Sequence, residues 1–187
     1  MFRLVLLSLL SFASLLSSAQ VAEKAKKVKM IISDVEHVLA SSVHVNSSGE
    51  QVSYTVSLKD QAAIRKAKDR RLNVVLLTEN SSSGLATWAE KQGVNEVIQE
   101  AYSLKSFSNF VDSRKKLIHK IASKYFISLS EIAYISDDPT AIEALKIVGF
   151  PCCTSNADGS IKNACTYVSL NQSNAFSDII DALTNAS

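Results

Sequence analysis

Oxygen-bearing side chains stand directly after three apolar runs, and their chemistry is what the chain can offer a ligand. Met30-Ile31-Ile32 leads into Ser33-Asp34 and then Glu36. Leu72–Leu77 leads into Thr78, and Ile132–Ile135 leads into Ser136, Asp137 and Asp138. A buried strand that ends in a carboxylate or hydroxyl delivers it to the carboxyl edge of a parallel sheet, where α/β proteins form their ligand crevices. If the three strands run parallel, the acids and the hydroxyl meet at one place. Taken alone, Asp137 and Asp138 also fit as ordinary caps of a helix that starts at Pro139.

The elements that must position these groups follow from periodicity and punctuation. After the first strand, Val28–Ser33, the segments Ser42–Val45 and Gln51–Ser57 flank a polar loop with Gly49 and read as a β-hairpin. Leu58–Arg70 alternates apolar and charged residues at helical spacing, and Leu72–Leu77 is the second core strand. A helix follows from the Ser81–Ser83 cap to Gln92, stopped by Gly93, and Glu96–Gln99 is a short strand. Phe110–Tyr125 is a long helix with Leu117, Ile118, Ile121 and Ala122 on one stripe. The strand Ile132–Ile135 and a helix from Pro139 to Val148 come next. Strands at Pro151–Thr154 and Thr166–Leu170, joined through a turn at Asn156–Gly159, precede a closing helix at Ala175–Thr184. This alternation predicts an α/β three-layer sandwich, with a mainly parallel, Rossmann-like sheet and a small β-hairpin insertion after the first strand.

Composition narrows the possibilities. With 187 residues and 47% hydrophobic content, the chain suits one domain with a sizeable core. Lys plus Arg number 20 against 18 for Asp plus Glu, too even a balance for a nucleic-acid partner. Met1-Phe2-Arg3, an apolar stretch Leu4–Leu16 and the small residues Ser17-Ser18-Ala19 have the layout of a secretory signal peptide. The expected division is therefore a signal peptide over 1–19 and one domain over 20–187, its core beginning near residue 28. The mature chain is expected to be secreted or lumenal, with no membrane segment. All three cysteines read first as small apolar side chains in late strands, and in an oxidising compartment Cys165 could instead pair with Cys152 or Cys153. Asn46, Asn80, Asn171 and Asn185 head N-glycosylation triplets.

DVEHVL at 34–39, LKDQAAI at 58–64, LLTEN at 76–80, RKKL at 114–117, AYISDD at 133–138 and IVGF at 147–150 carry a resemblance that covers nearly all of the mature chain. From about Val28 the sequence resembles the haloacid dehalogenase (HAD) superfamily. Within it, the likeness is to the capless 3-deoxy-D-manno-octulosonate 8-phosphate phosphatases and to the carboxyl-terminal domain of some acylneuraminate cytidylyltransferases. The resemblance implies an HAD-like fold and a Mg²⁺-dependent phosphatase acting on a sugar phosphate. Asp34 would be the nucleophile that forms an aspartyl-phosphate, Glu36 the acid facing the leaving oxygen, and Thr78 a hydrogen-bond partner of the phosphoryl group. Lys116 would neutralise that group and orient Asp34, with Lys115 as the alternative in register. Asp34, Asp137 and the main-chain carbonyl of Glu36 would hold Mg²⁺, and Asp138 would support them. Such carboxylates side by side repel unless a cation lies between them. A homo-oligomer, a tetramer in this branch, is also implied, with the hairpin as the contact.

The sequence departs from the family pattern at named positions. Where the family has Asp-x-Asp-Gly, this chain has Asp34-Val-Glu36-His37. Glu carries its carboxyl roughly 1.5 Å farther out, and a displacement of about 1 Å can cost on the order of a hundredfold in rate. His37 stands where a glycine would allow positive φ. Glu79-Asn80 replaces Gly-Arg, Pro139–Ile142 lacks the family's further acid, and the tail after Leu170 lacks glycine. These changes define the alternative expectation: a secreted, catalytically impaired protein that keeps the fold for binding or oligomerisation.

Overall fold

The computed structural model describes residues 19–45, 52–80, 82–99 and 107–185. Most of the leader, the hairpin tip with the Asn46 triplet, and Ser81 lie outside the described residues. No described helix is long and apolar enough to cross a membrane.

Residues 19–25 are helical (α1) and lead into β1, Met30–Asp34, whose five residues are all buried. The hairpin strands are β2, Ala40–Val45, and β3, Val52–Val56. Helix α2, Leu58–Asp69, precedes β4, Asn73–Thr78; α3, Ser83–Gln92, precedes β5, Glu96–Gln99. The long α4, Phe107–Tyr125, leads to β6, Ile132–Ile135, and then to the short α5, Ile142–Leu145. The chain finishes with β7, Phe150–Thr154; α6, Gly159–Ala164; β8, Tyr167–Ser169; and α7, Ala175–Asn185.

The central sheet has six strands in the order β5-β4-β1-β6-β7-β8, every neighbouring pair parallel. From β1 the chain builds outward through β4 and β5, then returns through α4 to the other side of β1. That reversal makes the carboxyl end of β1 a topological switch point, where a crevice opens between connections leaving in opposite directions. β2 and β3 pair antiparallel in a separate two-stranded sheet.

Strand alternation divides the core into two layers. Ile31, Val74, Leu76, Ala133, Ile135 and Cys152 face one side, packed on Ala63, Ile64 and Ala67 of α2 and Ile179, Ile180 and Leu183 of α7. Met30, Ile32, Val75, Tyr134 and Cys153 face the other, against Ile118 and Ile121 of α4, Leu145 of α5 and Ile161 of α6. The α/β sandwich anticipated above, with helices on both faces, is what forms.

Two helices share one acid. Ser57 caps α2 by accepting from the Asp60 backbone N–H, and Asp60 Oδ1 accepts from the Ser177 N–H of α7 at 2.8 Å. Gly149 is required by proximity: a Cβ there would lie 2.0 Å from the Ser130 carbonyl oxygen. The segment after Pro139 differs from the single helix to Val148 read in the sequence. It is a 3-10 turn, Pro139–Ala141, followed by the four-residue α5. Between β7 and β8 the turn expected around Asn156 is followed by the short helix α6, whose six residues are too few to show a period in the sequence.

Candidate functional site

The carboxyl ends of β1, β4 and β6 open into one crevice of about 670 Å³, lined by Asp34, Glu36, His37, Thr78, Glu79, Asn80, Arg114, Asp137 and Asp138, among others. Adjacent parallel registers bring this about: Asp34 is paired with Leu77 on one side, and Ser33 with Ile135 on the other. The strand ends are level, so the residues that follow them converge.

Asp34 is 6% exposed and held by several donors. Arg114 Nη1 donates to its Oδ2 at 2.9 Å, and the Ser136 hydroxyl donates to the same oxygen at 2.5 Å. The Tyr134 hydroxyl donates to Oδ1 at 3.1 Å while accepting from Arg114 Nη1 at 3.1 Å. A buried carboxylate needs such compensation, since its desolvation costs several kcal/mol (roughly) when unpaired. Arg114 also faces Glu79 at 3.8 Å and Asp138 at 3.9 Å through Nη2. One guanidinium therefore serves three carboxylates, which its planar, many-donor head allows.

Lys116, the cation expected here, lies elsewhere. It is exposed and does not line the crevice, whereas Arg114 is 2% exposed and does. Helix geometry gives the reason. At 3.6 residues per turn, Arg114 falls on the stripe of Ile118 and Ile121, and two further residues rotate Lys116 by roughly 200° onto the outer face. Lys115, the alternative in register, is not among the lining residues either.

Glu36 lines the same crevice and is held by a second set of donors. Its Oε1 accepts from the Thr78 hydroxyl at 2.6 Å and from Asn80 Nδ2 at 3.0 Å. The Tyr54 hydroxyl, reaching in from β3, lies 3.1 Å from the same oxygen and 3.0 Å from Thr78 Oγ1. Burial raises the Tyr54 pKa, with the Glu36 charge adding to the effect and the Thr78 hydrogen bond opposing it. His37 takes φ 62, in the left-handed region. This is the conformation the glycine of the family motif would supply at no steric cost; for histidine it costs roughly 1–2 kcal/mol.

Asp137 has its pKa raised, mainly by burial, against the lowering influence of His37 and of Asn156 Nδ2 at 3.5 Å. Asp138 caps the 3-10 turn, its Oδ1 accepting from the Thr140 N–H at 2.7 Å, so the capping role and the place in the crevice coexist. Tyr54, Arg114 and Tyr134 were not singled out as site residues in the sequence, and Ser136, one of the oxygens delivered by the third strand, was given no role there. Arg114 carried a signal, its position on the apolar stripe of α4; Tyr54 carried none, since nothing local says where a hairpin will lean.

Mg²⁺ needs hard oxygen ligands. Among the described residues, no three His, Cys, Asp or Glu side chains are grouped as a metal cluster. The donor chemistry nevertheless suits such an ion. Among the described residues, Asp34, Glu36, Glu79, Asp137 and Asp138 line the crevice with the guanidinium of Arg114, and the carboxyl of Asp137 is disfavoured as an anion by burial.

No family model matches the chain, and no curated protein matches its sequence. Solved structures do match. The 3-deoxy-D-manno-octulosonate 8-phosphate phosphatase of Moraxella catarrhalis, in complex with magnesium, phosphate and KDO, is 21% identical with a TM-score of 0.77, covering 89% of this chain and 91% of that one. A Legionella pneumophila hydrolase of HAD superfamily subfamily III A is 21% identical with a TM-score of 0.77, covering 94% and 92%. The cobalt-bound deoxy-D-mannose-octulosonate 8-phosphate phosphatase of Haemophilus influenzae is 20% identical with a TM-score of 0.74, covering 87% and 91%. At such identities the likeness is one of architecture, and the architecture of this chain is the HAD-like fold.

Proposed function

We propose that this protein is a phosphomonoester hydrolase of HAD type, acting on a small sugar phosphate through an aspartyl-phosphate at Asp34. The observation that carries the reading is the meeting of Asp34, Thr78 and Asp137 in one crevice at the switch point of the sheet. An Asp34 carboxylate oxygen would attack phosphorus, and the leaving alkoxide would take a proton from Glu36. Water would then release phosphate from Asp34. Thr78 would hydrogen-bond the phosphoryl oxygens. Arg114, rather than Lys116, would orient Asp34 and offset negative charge, the protein's chief task in phosphoryl transfer. Mg²⁺ would be held by Asp34, Asp137 and the Glu36 carbonyl, with Asp138 in support, and would supply the positive charge that lets a phosphate dianion enter an acidic crevice.

A second reading has its own observations. Asp34 is already engaged by Arg114, Tyr134 and Ser136, Glu36 by Thr78 and Asn80, and His37 adopts a strained φ. These contacts favour a catalytically impaired relative that uses the crevice for binding or the hairpin for assembly into a homo-oligomer. Secretion by way of the leader belongs to both readings, and sequencing the amino terminus of the exported protein would test it. Purified protein assayed on a panel of sugar phosphates with Mg²⁺ separates the two. Turnover that Asp34→Asn lowers by orders of magnitude supports the hydrolase; no turnover by a folded protein leaves the second reading standing.

A further inference from the structure

We propose that Cys153 and Cys165 form a disulfide when the folded protein meets a disulfide oxidant, and that Cys152 takes no part. Strand alternation makes the choice. Cys152 and Cys153 are successive residues of β7, so their side chains leave opposite faces of the sheet. Cys152 belongs to the layer under α2 and α7, where its thiol donates to the Phe150 carbonyl at 3.5 Å. Cys153 belongs to the other layer, and Cys165, at the carboxyl end of α6, packs into that same layer.

The chain leaving α6 runs against β7, with the Thr166 N–H donating to the Pro151 carbonyl at 2.8 Å and Tyr167 paired with Cys152, and this brings Cys165 to the end of β7 in the layer that holds Cys153. Each thiol shifts the other, Cys165 lowering the pKa of Cys153 and Cys153 raising that of Cys165. Lys162, in the last turn of α6, adds to the lowering at Cys153, against burial. Cys152 is pushed up by burial. A thiolate is the species that attacks a disulfide, so the Lys162 charge beside Cys153 favours the closing step, in which Cys153 attacks a disulfide already formed at Cys165.

Exposure sets the order of events. Cys153 is 0% exposed and Cys165 is partly exposed, so an outside disulfide meets Cys165 first. With oxidised glutathione, the Cys165 sulfur, on losing its proton, attacks one glutathione sulfur, forming a mixed disulfide and expelling one glutathione thiolate. The Cys153 thiolate then attacks the Cys165 sulfur and expels the second. Two protein thiols are oxidised and one glutathione disulfide is reduced to two thiols, which take up the two protons lost.

The bridge would tie the end of β7 to the start of β8 and enclose the turn that carries Asn156, whose amide reaches Asp137 at the crevice. One wall of the candidate site would then be fixed covalently. The inference does not depend on phosphatase activity, and it stands whether or not the crevice turns over a substrate.

Oxidised glutathione, applied to the folded full-length domain and followed by intact mass and peptide mapping without reduction, tests it. Wild type and Cys152→Ser should lose two hydrogens, map to a 153–165 bridge and melt at higher temperature than their reduced forms. Cys153→Ser should stop at one glutathione adduct on Cys165, and Cys165→Ser should acquire neither adduct nor bridge. A bridge that includes Cys152, or an unbridged wild type that remains folded after prolonged oxidation, would overturn the proposal. Alanine in place of serine provides a second variant should a buried hydroxyl prevent folding.

Discussion

Arg114 and Lys116 stand two residues apart and have opposite fates. Arg114 compensates the buried Asp34 carboxylate, and Lys116 lies in water. Arg114→Met would leave that charge without its guanidinium, for which the expected loss is about 3–5 kcal/mol of stability. Lys116→Ala should stay within about 0.5 kcal/mol of wild type. Equilibrium denaturation of both variants checks the assignment, and a Lys116 variant as damaged as the Arg114 variant would refute it. His37 offers the opposite sign. His37→Gly removes the steric cost of φ 62 and should gain about 1 kcal/mol, less the greater unfolded-state freedom of glycine. If the strain at His37 also displaces Glu36, the same variant should raise turnover of a phosphate ester.

At the scale of elements, α2 and α7 are joined through Asp60, and that joint has a pH dependence. The Asp60 pKa is raised above 3.8, burial outweighing the Ser57 and Ser177 hydrogen bonds. The native state therefore binds this proton more tightly than the unfolded chain. Its contribution is complete below the unfolded pKa and is lost as pH rises through the folded one. Asp60→Asn removes the titration. The wild-type melting temperature relative to that variant should accordingly be most favourable near pH 3 and decline as pH rises from about 4. A difference that grows in favour of wild type over that interval would contradict the direction. The sequence made α2 and α7 legible as separate amphipathic helices but not as partners. Nothing local reports that residue 60 of one will cap residue 177 of the other, an encounter that only the packing of both on the sheet brings about.

At the scale of the molecule, the level ends of β1, β4 and β6 and the excess of crevice carboxylates predict that a divalent cation stabilises the fold. An ion that binds only the native state at a hundred times its Kd adds about 2.7 kcal/mol. Thermal denaturation with increasing Mg²⁺ should show an upward shift, and Asp137→Asn should diminish it. No shift in wild type at millimolar Mg²⁺ would remove the metal from the proposed chemistry. This measurement needs no substrate and bears on both readings of function.

What the chain determined locally was the set of strands and the oxygens at their ends. Hydrophobic runs of four to six residues and the side chains immediately after them are neighbours in sequence, so Asp34, Thr78 and Asp137 were legible before any fold was known. Helix rotation lay one step further: the stripe through Ile118 and Ile121 already contained Arg114, although a basic run hid it. The tertiary structure alone decided which groups clasp those oxygens. Tyr54 meets Glu36 across a hairpin, Tyr134 and Ser136 meet Asp34 across a strand pair, and Cys153 rather than Cys152 shares a layer with Cys165. The physical reason is common to all three. Periodicity tells which side chains share a face, but what that face meets depends on how distant elements pack to remove apolar surface from water.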